Sequence, residues 1–154
     1  MRRVNIASPE FSHDADDPDG FRNGMARFGA DLGARHTGAT VYELPPGQAI
    51  CPYHYEHGEE EWLLVLDGRP TLRHPDGSDV LEPLDMVFFE RGPGGAHGVR
   101  NDTEHEVRVL MFSEVAYPTV TVYPDSDKVG VYTGGDDDLI VQRKSAVDYY
   151  EGER

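Results

Sequence analysis

The sequence predicts an all-β domain built as an antiparallel sandwich or barrel. Short segments rich in β-branched and aromatic residues follow one another closely, and segments rich in glycine and proline separate them. The chain contains 17 glycines and 11 prolines, which together exceed ordinary usage. Its 154 residues indicate one domain, long enough to bury a hydrophobic core without disulfide bonds.

The predicted strands lie in the middle of the chain, and turn sequences such as those at 45–47, 74–79 and 91–95 separate them. Six segments have the composition of strands: 37–44, 61–68, 70–74, 85–90, 96–101 and 106–112. Beyond them, the alternating segment 119–132 indicates a hairpin or two edge strands. Only segment 24–34 has the composition of a short helix.

Three regions follow from this pattern. We predict an N-terminal arm over residues 1–36, a barrel core over residues 37–118 and a C-terminal extension over residues 119–154 that packs on the barrel. The arm is polar and acidic at its start. We interpret the acidic loop 134–138 of the extension as solvated surface.

Composition excludes several classes of partner and location. The chain carries 29 acidic residues against 14 Lys and Arg, a formal net charge of −15, so we expect no nucleic-acid and no membrane partner. Cys51 is the single cysteine, which excludes a disulfide framework, and we interpret it as a small buried hydrophobe. The N-terminus has no secretory pattern, and the apolar run 62–66 is too short to span a bilayer. We therefore expect a soluble cytoplasmic protein.

Residues 51–62 concentrate two histidines and four glutamates in twelve positions. If residues 53–56 form a strand, alternation places His54 and Glu56 on one face. Glu61 begins the next apolar strand with the parity of Leu63, so a hairpin brings all three polar side chains to one face. Carboxylates at the start of an apolar strand are costly to bury unless a cation neutralises them. The stretch therefore indicates one half of a metal site.

His97 supplies the other half, because it opens a new strand after the glycine-rich turn at 91–95. Imidazole nitrogen and carboxylate oxygen together suit a divalent first-row metal, and two histidines with one carboxylate match the ligand set of non-haem iron. Three alternatives stay open. First, Glu56 is either a metal ligand or turned to solvent or to a bound water. Second, a slip of the strand by one residue would make His57 a ligand, although the two-residue period of a strand disfavours it. Third, the barrel could keep these residues without binding a metal.

Two groups of residues resemble the paired motifs of the cupin family. The first group resembles the first cupin motif and consists of Gly47, His54, Glu56, Glu61 and Gly68. The second resembles the second motif and consists of Gly94, His97 and Asn101. The resemblance covers about residues 37 to 115.

The resemblance implies a double-stranded β-helix, which is a small jelly-roll barrel usually found as a homodimer. It also implies one divalent transition metal per chain (Fe, Mn, Ni or Zn) held by His54, Glu56, Glu61 and His97. Position 56 departs from the family, which usually has histidine there. Two glutamates would bring the formal charge of a divalent site to about zero instead of +1. The spacing from Gly47 to His54 is one residue longer than usual, and Gly92 replaces a usual proline.

The resemblance favours a metal-dependent enzyme acting on a small molecule, of the oxidoreductase (dioxygenase) or isomerase type. The alternative is a non-catalytic module that binds or senses a small molecule. Trp62, Leu64 and Leu66 alternate against Glu61 and are expected on the opposite face of their strand, in contact with a second copy of the chain.

Overall fold

A computed structural model describes residues 1–153, and Arg154 lies outside the described part. Helix α1 spans Gly29–Leu32, and single turns of 3-10 helix span Pro93–Gly95, Pro124–Ser126 and Arg143–Ser145. The strands of the described chain are β1 (Ser12–His13), β2 (Gly24–Arg27), β3 (Thr37–Leu44), β4 (Tyr55–Glu56), β5 (Glu61–Asp67), β6 (Thr71–His74), β7 (Gly77–Val80), β8 (Met86–Phe89), β9 (Gly98–Arg100), β10 (Val107–Glu114), β11 (Thr119–Tyr123), β12 (Lys128–Tyr132) and β13 (Leu139–Gln142).

The strands form two layers of antiparallel sheet. One layer is a six-stranded sheet in the order β1-β2-β3-β10-β5-β8. The other layer consists of a four-stranded sheet, β13-β12-β11-β4, and a three-stranded sheet, β7-β6-β9. An isolated bridge between His54 and His97 joins the start of β4 to the start of β9. The all-β barrel predicted from the sequence is confirmed.

The core lies between the layers. The six-stranded sheet contributes Leu63 and Val65 from β5 and Val107 and Val109 from β10, all fully buried. These side chains pack in one cluster with residues of the three-stranded sheet, including Val99. Strand β5 alternates buried and more exposed positions, as a sheet with one face on the core requires, whereas β10 also buries Leu110 on its other face.

The six strands predicted for the barrel are all present, and the predicted hairpin is formed by β11 and β12. The prediction of a helix over 24–34 is wrong for its first half. Gly24–Arg27 form β2, which pairs with β3 and places Ala26 opposite Val41. Pairing with β3 satisfies the backbone groups and buries Ala26, so tertiary contact overrides the weak local preference.

The N-terminal arm covers part of the outer face of the six-stranded sheet. Ala26 and Phe28 pack on Val41 and Leu110, and Leu64 and Leu66 adjoin this second cluster. The predicted opposite-face placement of Leu64 and Leu66 is therefore confirmed.

Beyond the arm lies an uncovered aromatic row that consists of Phe88, Trp62 and Phe112. These residues are paired neighbours on β8, β5 and β10, and each is more than 40% exposed. The rings of Trp62 and Phe88 lie 4.8 Å apart.

Asn101 fastens the end of β9 to the opposite layer. Its side chain is fully buried and donates hydrogen bonds to the carbonyl oxygens of Leu44 (2.8 Å) and His105 (2.7 Å). Its oxygen accepts a hydrogen bond from the amide of Thr103. These bonds satisfy a buried amide completely and fix the strand that follows His97. Among residues 1–153, no helix is long and apolar enough to cross a membrane.

Candidate metal centre

Reciprocal backbone hydrogen bonds position His54 and His97. The amide of His54 donates to the carbonyl of His97 (3.0 Å), and the amide of His97 donates to the carbonyl of His54 (2.8 Å). Directly opposed residues of an antiparallel pair project their side chains to the same face. The two imidazoles consequently face the barrel interior together, with ring centroids 4.7 Å apart.

The turn before His97 depends on close backbone approach. The 3-10 turn Pro93–Gly95 ends at Gly95, where a Cβ atom would overlap the carbonyl oxygen of Glu90, so no other residue fits without a backbone shift. The amide of Gly92 also donates to the carbonyl of Glu56 at 2.7 Å, which ties the turn to β4. The glycines of the second motif thus bring His97 to its place.

Glu61 is the third member of the cluster. As the first residue of β5 it pairs with Phe89 and Ser113 on its two sides. Its Oε2 atom lies 3.4 Å from Nε2 of His97 and 3.9 Å from Nε2 of His54. One ligand atom from each residue lies within 4.8 Å of the other two. The Phe89 ring stacks on the His97 ring at 3.7 Å and restricts its rotation.

The hydrogen bonds of the two imidazoles fix their tautomers. Nδ1 of His54 lies 3.0 Å from the carbonyl oxygen of Pro52, and Nδ1 of His97 lies 2.9 Å from that of Gly95. Because a carbonyl oxygen only accepts, each Nδ1 carries the proton, and in a neutral ring each Nε2 presents a lone pair. Metal-binding histidines commonly donate their second ring nitrogen to a carbonyl in this way.

Burial shifts the pKa values of the cluster in opposite directions. Burial, with a smaller effect of the neighbouring imidazole, lowers the pKa of His97 to about 3, and burial also lowers the pKa of His54. Burial, followed by the charges of Glu56 and Glu59, raises the pKa of Glu61 to about 7. The histidines are therefore neutral at pH 7, while the carboxylate lacks a compensating charge.

The three groups fit a divalent cation. Two Nε2 lone pairs converge on Glu61 Oε2, which is buried and has no hydrogen-bond donor among the described residues. A buried carboxylate surrounded by acceptors is destabilising unless a proton or a cation lies between them. Neutral imidazole and carboxylate are the donors that divalent first-row metals accept.

Glu56 lies beside the cluster. Its Oε1 atom is 4.0 Å from Nε2 of His54 and accepts a hydrogen bond from the Thr121 hydroxyl at 2.7 Å. Its Oε2 atom is buried without a partner in the described chain. Burial raises the pKa of Glu56, an effect that the hydrogen bond from Thr121 opposes. The structure thus places Glu56 against His54 with one oxygen available, and its role as fourth ligand stays a prediction.

The register of β4 keeps His57 out of the cluster. His57 is exposed, and its ring makes an edge contact with Tyr55 at 5.3 Å. Cys51 lies on the inner side, with Sγ 3.5 Å from Nδ1 of His54. Burial, with the charges of Glu61 and Glu56, raises the pKa of the Cys51 thiol to about 12, so it remains protonated.

A cavity of about 140 Å³ adjoins the cluster inside the barrel. Besides Cys51, His54, Glu61 and His97, it is lined by Thr40, Tyr42, Ile50, Val99, Met111 and Ser113. The hydroxyl groups of this lining, from Thr40, Tyr42 and Ser113, belong to neither of the two motifs. Thr40 and Tyr42 share the parity of the buried Leu44, so alternation along β3 carried the signal that would have found them.

The fold and the site define a small two-layer β-barrel protein with a His–Glu–His candidate metal centre on the wall of an interior cavity. Residues 40–113 match the family model for the cupin domain. These residues form a small cupin-type domain, as the motifs indicated. No curated protein sequence matches the chain significantly.

Solved structures with similar folds carry different functional names. A sugar phosphate isomerase of the cupin superfamily from Silicibacter pomeroyi has 18% identity and a TM-score of 0.82, covering 97% of this chain and 98% of that one. A protein provisionally assigned as a sugar phosphate isomerase from Acidithiobacillus ferrooxidans has 24% identity and a TM-score of 0.80, with coverage of 93% and 90%. The polyketide cyclase RemF from Streptomyces resistomycificus has 23% identity and a TM-score of 0.61, with coverage of 74% and 79%. At these identities the similarity is one of fold.

We predict that Glu61→Gln stabilises the metal-free protein at alkaline pH. The pKa of Glu61 in the folded protein, about 7, lies above its ordinary value of 4.5. Between these two pH values the folded protein therefore binds more protons than the unfolded protein does. The free energy of unfolding therefore falls as pH rises from 4.5 to 7. A glutamine at position 61 does not ionise, so the variant keeps the stability that the wild type loses in this range. At pH 8 the variant should gain up to roughly 3 kcal/mol, and at pH 4 it should equal the wild type.

Urea unfolding in the presence of a chelator, at pH 4 and pH 8, measures this difference. Glu60→Gln is the matched control, because Glu60 is the exposed neighbour, and it should change neither value. A Glu61→Gln variant that is less stable than the wild type at pH 8 without metal would show that the carboxylate already has a compensating partner.

Proposed function

We propose that this protein binds one divalent transition metal at His54, Glu61 and His97 and acts as a metal-dependent oxidoreductase on a small uncharged organic molecule. The observation that carries the proposal is the convergence of two imidazole lone pairs and a carboxylate oxygen on the wall of the barrel cavity. Two histidines and one carboxylate leave further positions of an ion open, and this is the ligand set of non-haem iron(II) oxygenases.

The charge of the cavity supports an uncharged substrate. Within residues 1–153, no Lys or Arg lines the cavity, and Glu61 is the acidic group in its wall. The whole chain carries a net charge of −15, so an anion would approach against the field of the protein. We therefore take the fold, and not the phosphorylated substrate, from the two neighbours named as sugar phosphate isomerases.

The other lining residues bind and orient a substrate without withdrawing a proton. Burial raises the pKa of Tyr42 to about 12, so its phenol keeps its proton and donates a hydrogen bond at neutral pH. Thr40 and Ser113 add hydroxyl groups, and Cys51 stays a thiol. An isomerase that moves a proton between carbons needs a base within reach, and this lining offers none besides the proposed ligands.

These features favour oxidoreductase chemistry. Iron(II), when bound, supplies one-electron chemistry and reactivity with dioxygen. The apolar side chains of Ile50, Val99 and Met111 complete the cavity wall and limit the access of water to the reacting atoms. Glu56 is not among the lining residues, so its binding to an ion as fourth ligand would take no side chain from the cavity wall.

We predict that the metal-free protein takes up close to one iron(II) per chain under anaerobic conditions and then binds nitric oxide. Nitric oxide occupies an open position of ferrous iron and gives a high-spin iron–nitrosyl signal in electron paramagnetic resonance. His97→Ala should abolish both uptake and signal, because a buried carboxylate and one imidazole hold the ion poorly. His57→Ala is the matched control and should preserve both.

Oxygen consumption by the iron-loaded protein, measured over a panel of uncharged phenols and diols and their phosphate esters, then identifies the substrate class. Failure to take up iron, manganese, nickel or zinc would contradict the metal site itself. Iron uptake without a nitrosyl signal would contradict the oxidoreductase and favour the non-catalytic binding module.

The homodimer expected from the sequence is also part of the proposal, and we place its interface at the aromatic row of Phe88, Trp62 and Phe112. The row begins on β8, because Phe88 belongs to that strand. Strand β8 is an edge of the six-stranded sheet, and its unpaired backbone groups favour pairing with a second copy of the chain. The arm covers Leu64 and Leu66 but stops short of Trp62. Exposed aromatic clusters of this kind are typical of protein interfaces.

We predict that sedimentation finds a dimer at micromolar concentration and that Trp62→Lys converts it to a monomer. A lysine in the row would bury an uncompensated charge at the interface. Tyr149→Lys, which also replaces an exposed aromatic residue, should leave the dimer intact. A monomeric wild type, or a Trp62→Lys variant that remains dimeric and folded, would contradict this interface.

A further inference from the structure

A second cavity lies outside the metal centre, in a groove of about 520 Å³. It is formed by the N-terminal arm at Phe21, segment 49–53, strands β6, β7 and β9, and the turn between β11 and β12 with the first residue of β12. Cys51 and Val99 contribute to this groove and also to the barrel cavity, so the two cavities share one wall. We call this feature the outer groove.

The lining of the outer groove has a positive net charge, opposite in sign to that of the whole chain. Its lining contains Arg73, Arg100 and Lys128 against Asp102 and Asp125, a formal charge of +1 in a protein of −15. Three of the 14 basic residues of the chain therefore meet in one groove. A local positive potential within an acidic field attracts an anion to that place in preference to the surrounding surface.

Arg73 is already neutralised and held in place. Its guanidinium makes two hydrogen bonds to the Asp125 carboxylate, at 2.6 and 2.9 Å, and stacks over the ring of Tyr53 at 3.9 Å. This arrangement builds a rigid shelf from Tyr53 and the guanidinium plane. The shelf offers a flat surface to a ligand, and the hydrogen-bond donors available to an anion belong to Arg100, which is paired with Asp102 through Nε alone, and to Lys128.

Arg100 and Lys128 keep unused donors. Nε of Arg100 donates to Asp102 at 2.7 Å, whereas its two terminal nitrogens donate to no acceptor in the described chain. The ammonium of Lys128 lies 5.3 Å above the ring of Tyr123 and forms no ion pair within residues 1–153. The terminal nitrogens of an arginine match two oxygens of a phosphate or carboxylate, and a nearby ammonium adds charge.

Phe21 forms an aromatic wall of the groove, and contacts of the nearby residue Asn23 hold it in place. Nδ2 of the buried Asn23 side chain lies 3.0 Å from each of the carbonyl oxygens of Phe21, Ala49 and Ile50, which share its two N–H donors. These bonds hold the arm against residues 49 and 50, in the segment that leads to His54. The aromatic wall is thus attached to the barrel, as a binding site for a planar group requires.

We propose that the outer groove binds a small organic anion in which a planar ring carries a phosphate or carboxylate group. The ring lies between Phe21 and the Tyr53–Arg73 shelf, and the anionic group accepts hydrogen bonds from Arg100 and Lys128. The site is independent of the metal centre, so it is tested on metal-free protein. Its failure leaves the proposed function untouched.

The probe is phenyl phosphate, titrated into metal-free, isotope-labelled protein and followed by amide chemical shifts, with phenol and inorganic phosphate as partial probes. We expect saturable shifts at Ser78, Gly98 and Ser126, which line the groove. Phenyl phosphate should bind more tightly than either partial probe. Arg100→Ala and Arg100→Lys should each weaken it about tenfold, because both lose the two-point contact.

Phe21→Ala should weaken phenyl phosphate but leave inorganic phosphate unchanged. Arg69→Ala, which removes an exposed arginine outside the groove, is the matched control and should change nothing. No saturable shift, shifts confined to the barrel cavity at Tyr42 and Ser113, or equal affinity in folded Arg100 variants and the wild type would each overturn the proposal.

Discussion

The buried carboxylate of Glu61 is the constraint on which the interior of this barrel depends. It begins an apolar strand, it has no hydrogen-bond donor in the described chain, and two imidazole lone pairs point toward it. Such a group destabilises the fold until a positive charge joins it. The structure around it restrains both imidazoles in the form that leaves those lone pairs free, through the carbonyls of Pro52 and Gly95.

The same sheet register that creates this site also separates it from the other surfaces of the protein. One face of β5 carries Glu61, Leu63 and Val65 into the barrel, while the other carries Trp62 outward. The wall that contains Cys51 and Val99 likewise has the barrel cavity with its Glu61 carboxylate on one side and the outer groove with its Arg and Lys side chains on the other. Alternation along strands therefore provides separate chemical environments within one small barrel.

Much of this arrangement is predictable from the sequence, because period two and motif spacing are local signals. The strands of the core follow from alternating composition, and the shared face of His54 and Glu61 follows from parity across a hairpin. Segment 24–27 was not predictable in this way, since its strand exists only through pairing with β3. Alternation along the strand also fails to decide whether Glu56 binds the metal. That depends on the hydrogen bond from the Thr121 hydroxyl, and Thr121 lies far from Glu56 in the sequence although their strands are paired.

The outer groove could not be predicted from the sequence. Phe21, Arg73, Arg100 and Lys128 are far apart in the chain and belong to no common motif, so nothing local relates them. Their meeting is a consequence of the sheet order and of the Asn23 contacts that hold the arm. Sequence patterns thus predict residues that share a strand or a hairpin, whereas sites assembled from several segments require the tertiary structure.

The most direct test of the metal centre is an anomalous difference map from crystals of the protein soaked with zinc. We expect one strong peak per chain, at about 2.0 to 2.2 Å from Nε2 of His54, Nε2 of His97 and a carboxylate oxygen of Glu61. A peak only at an exposed site such as the pair His74 and Asp79 would contradict it. An interior without any peak, in crystals that bind zinc elsewhere, would do the same.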